Sequence, residues 1–187
     1  MNLEDARALI AKSEVLFSKA EVDAATARVA DALNRDYADK HPLVLGVMGG
    51  AVVFTGQLLP QLHFPLDFDI VSASRYGEAT VGTNLVWRVT PRDNVAGRHV
   101  LLVDDILDEG VTLAAIVELL KSQGALSVEC AVFCVKDYGP EKNARKPLVA
   151  KYVGLTVPDR FIYGYGMDVS GAWRNLPAIY AVKPEYL

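Results

Sequence analysis

Residues 99–112 read His-Val-Leu-Leu-Val-Asp-Asp-Ile-Leu-Asp-Glu-Gly-Val-Thr, and no other stretch of the chain restricts its possible folds so much. The unbroken apolar run 100–103 predicts a buried strand, because a strand covered on both faces has no polar side to alternate with. Asp104 and Asp105 follow the run directly, then Asp108, Glu109, Gly110, Val111 and Thr112. A helical pattern begins at Thr112, in which Leu113, Ile116, Val117 and Leu120 share one face. Backbone N–H groups at a helix N-terminus, with a threonine hydroxyl beside them, can hold a phosphate. Carboxylates repel a bare phosphate, so the aspartates must serve something else. Vicinal sugar hydroxyls can donate to Asp104 and Asp105, and a magnesium ion can bridge hydroxyls and a diphosphate. An isolated Asp-Asp pair after a strand would suit a phosphoacceptor receiver domain better; the longer pattern favours a cradle for a phosphorylated sugar.

Helix and strand patterns alternate through most of the chain, which predicts an α/β fold with a parallel sheet flanked by helices. Ser18 and Glu21 have the spacing of a capping box for a helix running to about Tyr37, with Val22, Ala25, Val29, Leu33 and Tyr37 as its apolar stripe. Residues 43–48 read as a central strand, followed by Gly49-Gly50 and a helix ending near Pro60. Further strands are expected at 68–74, 85–89 and 128–135, and shorter β-like pieces at 152–157, 161–163 and 178–182. No linker, repeat or low-complexity segment interrupts the chain. One domain over residues 1–187 is expected, with a small hood lobe built from the N- and C-terminal segments.

Composition narrows the function classes. A chain of 187 residues is long enough to bury a single core, and no apolar run approaches the roughly 18–20 residues that span a bilayer. The start, Met1-Asn2-Leu3-Glu4-Asp5, lacks the apolar core of a secretory signal. A net charge of −4 supplies no electrostatic reason for nucleic acid as the main ligand. A cytoplasmic enzyme acting on small molecules is expected. Cys130 and Cys134 lie four residues apart on an expected strand, about 13 Å, too far for a disulfide, and read as buried thiols. His41, His63 and His99 lack zinc-ligand spacing.

Four further segments fall where strands end, the place where open α/β sheets bind ligands. Met48, Gly49 and Gly50 form a turn whose N–H groups an anion can approach closely. Ser74-Arg75-Tyr76-Gly77 opens a loop through Thr83 that can close over a charged substrate. Lys136 stands immediately after an expected strand. The last segment runs from Pro158 through Phe161, Ile162 and Asp168 to Arg174, interleaving aromatic residues with charges in a way that suits a flat base beside a metal diphosphate.

In this order the segments resemble the type I phosphoribosyltransferases, and the chain is similar to their 6-oxopurine branch, the hypoxanthine-guanine family of bacteria, over roughly residues 15–183. The resemblance implies transfer of the phosphoribosyl group of phosphoribosyl pyrophosphate to hypoxanthine, guanine or both, yielding IMP or GMP and pyrophosphate. It implies that Asp104 and Asp105 bind the ribose hydroxyls, that Asp108 is the base near purine N7, and that Asp108, Glu109, Gly110, Val111 and Thr112 cradle the 5′-phosphate. Met48, Gly49, Gly50, Arg75, Tyr76 and Arg174 are implied on the pyrophosphate. Lys136, Phe161, Ile162 and Asp168 are implied around the purine. Mg²⁺ is implied as cofactor, with Asp168, Asp104 and Asp105 as its carboxylates, and a homodimer or homotetramer as the assembly.

Two positions depart from the family pattern. Relatives commonly carry a lysine or asparagine before the Gly-Gly pair, whereas here Gly49-Gly50 is followed by Ala51. Within the phosphate loop they commonly have a basic residue or threonine, where this chain has Glu109 and Val111. The backbone and Thr112 must therefore carry more of the phosphate binding. Two other readings share the fold: a xanthine-guanine phosphoribosyltransferase, and a non-catalytic RNA-binding regulator. The latter needs a basic face, and the sequence clusters only Lys142, Arg145, Lys146 and Lys151.

Overall fold

A computed structural model describes residues 1–75, 85–91 and 94–186, with the side chains of residues 74, 75 and 85 outside that description. The chain opens with α1 (Leu3–Ala11) and β1 (Ser13–Phe17), a helix and a strand that the periodicity of the sequence did not announce. Then come α2 (Lys19–Tyr37), β2 (Leu43–Val47), α3 (Val52–Leu58), β3 (Asp67–Arg75), β4 (Leu85–Val89) and β5 (His99–Leu107). They are followed by α4 (Val111–Ser122), β6 (Ser127–Asp137), α5 (Pro140–Asn143), β7 (Tyr152–Pro158), β8 (Ile162–Tyr163) and β9 (Ile179–Val182).

The capping box of α2 is formed: the Ser18 N–H donates to Glu21 Oε2 at 2.8 Å, and the Glu21 N–H reaches back to Ser18 Oγ at 3.4 Å. All five residues of the expected stripe on this helix are buried.

Among the described residues the strands form two sheets, one in the order β4-β3-β2-β5-β6-β7 and a smaller one in the order β1-β9-β8. In the larger sheet β3, β2, β5, β6 and β7 run parallel, while β4 pairs antiparallel with β3 at the edge. The expected parallel sheet is present, with one antiparallel strand added at its edge. Helices cover both faces. Val44, Leu101 and Val103 pack in a core with α2 and α3, and their sequence neighbours Leu43, Leu45, Val100 and Leu102 in a core with α4. This is why 100–103 shows no polar alternation.

The smaller sheet joins the two ends of the chain. β1 pairs with β9 and β9 with β8, all antiparallel. Arg160 staples it: its guanidinium lies 2.7 Å from Glu14 Oε1 and donates to the Val182 carbonyl at 2.7 Å. Tyr165, just beyond β8, seats this layer on the body, its ring 4.4 Å from that of Phe133 and its hydroxyl 2.9 Å from Thr26 Oγ1. Cys130 and Cys134 are free and buried, and burial pushes the Cys130 thiol up to about 12. Among the described residues no helix is long and apolar enough to cross a membrane.

Candidate active site

Strand β5 outruns its neighbour. Its pairing with β2 ends at Gly46 opposite Val103, while its pairing with β6 continues through Asp104, Ile106 and Leu107. A crevice results at the carboxyl edge of the parallel strands. Asp104 and Asp105 thus lie within β5, not after it as the apolar run alone suggested, and alternation along the strand separates them. Asp104 lines a cavity of about 270 Å³ with Asp108, Glu109, Gly110, Val111 and Thr112. Asp105 turns the other way, toward Gly50 at the head of α3.

That second contact explains a glycine. A Cβ on Gly50 would stand 1.7 Å from Asp105 Oδ2, and a Cβ on Gly166 would stand 2.1 Å from the Gly50 carbonyl oxygen. Gly166 also has φ +102°, so it is excluded to side chains twice over. Gly49, one residue earlier, has open space around it. Gly166 was not singled out from the sequence, where a glycine between Tyr165 and Met167 looks like any other turn residue.

The two acids share a burden. Burial, then the neighbouring Asp105, hold the Asp104 carboxyl well above the usual carboxylate range. Burial likewise raises Asp105, against the opposing pull of the Arg174 guanidinium. Because folding raises both, their ionisation destabilises the folded chain as pH climbs above the ordinary carboxylate range. Hydroxyl donors or a cation arriving here would offset that cost.

Beyond the pair, Gly110 takes φ +80° as the N-cap of α4, a conformation favouring glycine. The first N–H groups of α4 have no acceptor within the helix and face the cavity end. Asp108, in the preceding turn, accepts from Lys136 near the end of β6 and from Tyr138 just beyond the strand. Lys136 Nζ lies 3.2 Å from its Oδ2, and the Tyr138 hydroxyl donates to its Oδ1. Lys136 belongs to β6, which runs on to Asp137, and not to a loop behind a strand ending at 135. Tyr138 escaped the sequence reading for the same reason. The available signal was its place two residues after Lys136, just past the end of the same strand.

At the other end of the crevice, Arg174 donates to the Gly166 carbonyl at 2.7 Å and lies 2.6 Å from Asp168 Oδ1. Asp168 Oδ2 accepts from the Gly171 N–H at 2.7 Å. Phe161 is 53% exposed just ahead of β8, a flat apolar face open to solvent, while Ile162 is buried with its backbone paired to Ala181. Met48 enters the Gly49-Gly50 turn with its N–H on the Val71 carbonyl, 2.7 Å away. Arg75 ends β3, its side chain undescribed, and Tyr76 with the loop through Thr83 lies outside the described residues.

Residues 14–170 match the family described as the phosphoribosyl transferase domain. The chain is 34% identical over 172 residues to the hypoxanthine-guanine phosphoribosyltransferase of Bacillus subtilis, covering 91% of this chain and 93% of that one. Among solved structures it is similar to a hypoxanthine phosphoribosyltransferase from Staphylococcus aureus, with a TM-score of 0.84 and 31% identity over 92% of each chain. It is also similar to a hypoxanthine-guanine-xanthine phosphoribosyltransferase, with a TM-score of 0.80 and 32% identity, covering 91% of this chain and 96% of the other.

Proposed function

The chain belongs to the phosphoribosyltransferase domain family and, within it, to the hypoxanthine-guanine phosphoribosyltransferases, and from that premise we propose that it joins hypoxanthine, guanine or both to phosphoribosyl pyrophosphate in purine salvage. The observation that carries the reading is Asp108 with Lys136 Nζ at 3.2 Å, set beside the turn into α4. It puts one proton acceptor and one cationic donor together at the mouth of a phosphate cradle.

In this reading residues 108–112 hold the 5′-phosphate, with Asp104 on the ribose hydroxyls and Asp105 beside it, braced against Gly50. Met48, Gly49, Gly50, Arg75, Tyr76 and Arg174 are assigned to the pyrophosphate. Purine N9 attacks the ribose C1′, the C1′–O bond breaks, and its electron pair leaves on pyrophosphate. Positive charge develops on the sugar, which the nearby carboxylates tolerate. The proton on N7 passes to Asp108. Lys136 donates to O6, Phe161 stacks on the ring and the Ile162 backbone reads its edge. The enzyme works in the cytoplasm as a single domain with the three-stranded sheet as its hood, in a homodimer or homotetramer.

The donor set also fits magnesium. Asp168 and the Asp104–Asp105 pair present oxygen ligands only, and among the described residues no three acidic, histidine or cysteine side chains gather into a metal cluster. A magnesium ion held by one or two carboxylates completes its shell with substrate phosphates and water. Bound there, it would offset charge on the leaving group. Activity is therefore expected to vanish in excess EDTA and return with added Mg²⁺, while calorimetry finds only weak Mg²⁺ binding without substrate. Full activity in EDTA would refute the magnesium requirement.

The reading as a whole is tested by offering hypoxanthine, guanine, xanthine, adenine and uracil with phosphoribosyl pyrophosphate. Turnover of hypoxanthine or guanine is expected, with adenine far slower and uracil inert. Xanthine and guanine as the best pair would favour the xanthine-guanine alternative, and no turnover of any base would return the question to an RNA-binding regulator. The basic cluster gives that last reading little support: Lys151 pairs with Asp36 at 2.9 Å, and Lys146 donates to the Lys136 carbonyl at 2.5 Å.

A further inference from the structure

We propose that Tyr138 is a positioning residue for Asp108, fixing the plane of its carboxylate for proton transfer; this rests on the reading of Asp108 as the proton acceptor. Lys136, near the end of β6, and Tyr138, just beyond it, take the two oxygens separately, Tyr138 on Oδ1 and Lys136 on Oδ2. A carboxylate held by donors at both oxygens can no longer rotate freely. An ionised carboxylate accepts about four hydrogen bonds, so a purine N–H still finds a free lone pair.

The shoulder that carries Tyr138 is itself immobilised. Asp137, the residue before it, accepts from the Gly139 N–H at 2.8 Å and the Asn143 amide at 2.5 Å. The Tyr138 N–H donates to Asn143 Oδ1 at 3.1 Å. Around the Tyr138 ring stand the ammonium groups of Lys136, Lys142 and Lys146, at 5.7, 5.5 and 5.2 Å from its centre, within cation–π reach. The phenol keeps its proton throughout the working range, because burial, the hydrogen bond to Asp108 and the charges of Asp108, Asp159 and Glu109 all raise its pKa. It can therefore serve Asp108 only as a donor. The contact matters to chemistry and not to substrate capture, since proton transfer is sensitive to the angle of the accepting lone pair.

Tyr138→Phe removes one oxygen and keeps the ring with its ring of cations. Its kcat is expected to fall about 10-fold, a fraction of what a positioned acid–base group supplies, with KM for phosphoribosyl pyrophosphate and the melting temperature essentially unchanged. Placed on Asp108→Asn, the same substitution is expected to add no further loss, since a residue acting only through Asp108 has nothing left to position. Unchanged kcat in Tyr138→Phe overturns the proposal. So does a loss that multiplies in the double variant, which would make Tyr138 an independent support of the fold or the base. Should Asp108→Asn alone retain full turnover, the proton-acceptor reading itself falls, and the role of Tyr138 with it.

Discussion

Asp108→Asn is expected to lower kcat by about 10²–10⁴-fold, the usual worth of a positioned acid–base group, while binding of phosphoribosyl pyrophosphate changes much less. The substitution is nearly isosteric, and its carboxamide oxygen still accepts one of the two contacts from Lys136 and Tyr138. What it removes is the oxygen that can take a proton from purine N7. The 5′-phosphate, in the proposed reading, is held by backbone N–H groups and Thr112, which the substitution leaves in place. Steady-state kinetics check both halves. Unchanged turnover would remove Asp108 from proton transfer, and a loss confined to KM would place it in substrate binding alone.

Lys136→Ala is expected to reduce kcat/KM for hypoxanthine and guanine about 10–100-fold, the range of a charged hydrogen bond of about 1.5–3 kcal/mol. Adenine should scarcely improve, since the backbone edge at Ile162 remains. An ammonium only donates, so it suits the O6 acceptor and opposes the amino group of adenine. The Lys136 side chain is 13% exposed, dry enough that an unmatched donor is a serious loss. Its ion pair with Asp108 adds a loss common to every base. The decisive quantity is therefore the ratio of the 6-oxopurines to adenine, which is expected to fall. An equal loss for all three bases would make Lys136 a support for Asp108 and nothing more.

How much of this was legible beforehand depends on the range of the interaction. The helix over 19–37 could be read because its cap and its stripe are local: Ser18 and Glu21 lie within one turn, and Val22, Ala25, Val29, Leu33 and Tyr37 recur at helical spacing. The apolar run 100–103 announced a two-face-covered strand for the same reason. Helix α1 and strand β1 could not be read so, since β1 acquires its partner β9 only from the far end of the chain. The strand ends were misplaced at both functional positions. Asp104, Asp105 and Lys136 are polar, and polarity looks like the end of a strand when it is instead a strand continuing into a crevice.

By itself, then, the sequence determined the fold class, the strand–turn–helix cradle and the residue types gathered on it, because those follow from hydrophobic period and turn chemistry along a few consecutive residues. Tertiary structure alone decided which of those residues meet. Asp104 and Asp105 are adjacent in sequence yet diverge, one to the cavity and one to Gly50, because β5 alternates its side chains. Gly166 must be glycine because Gly50, more than a hundred residues earlier, brings its carbonyl against it. And Tyr138 meets Asp108 only because β6 pairs beside β5 up to Leu107 and Val135, which leaves the residues just beyond the two strands close enough for the hydroxyl to reach the carboxylate.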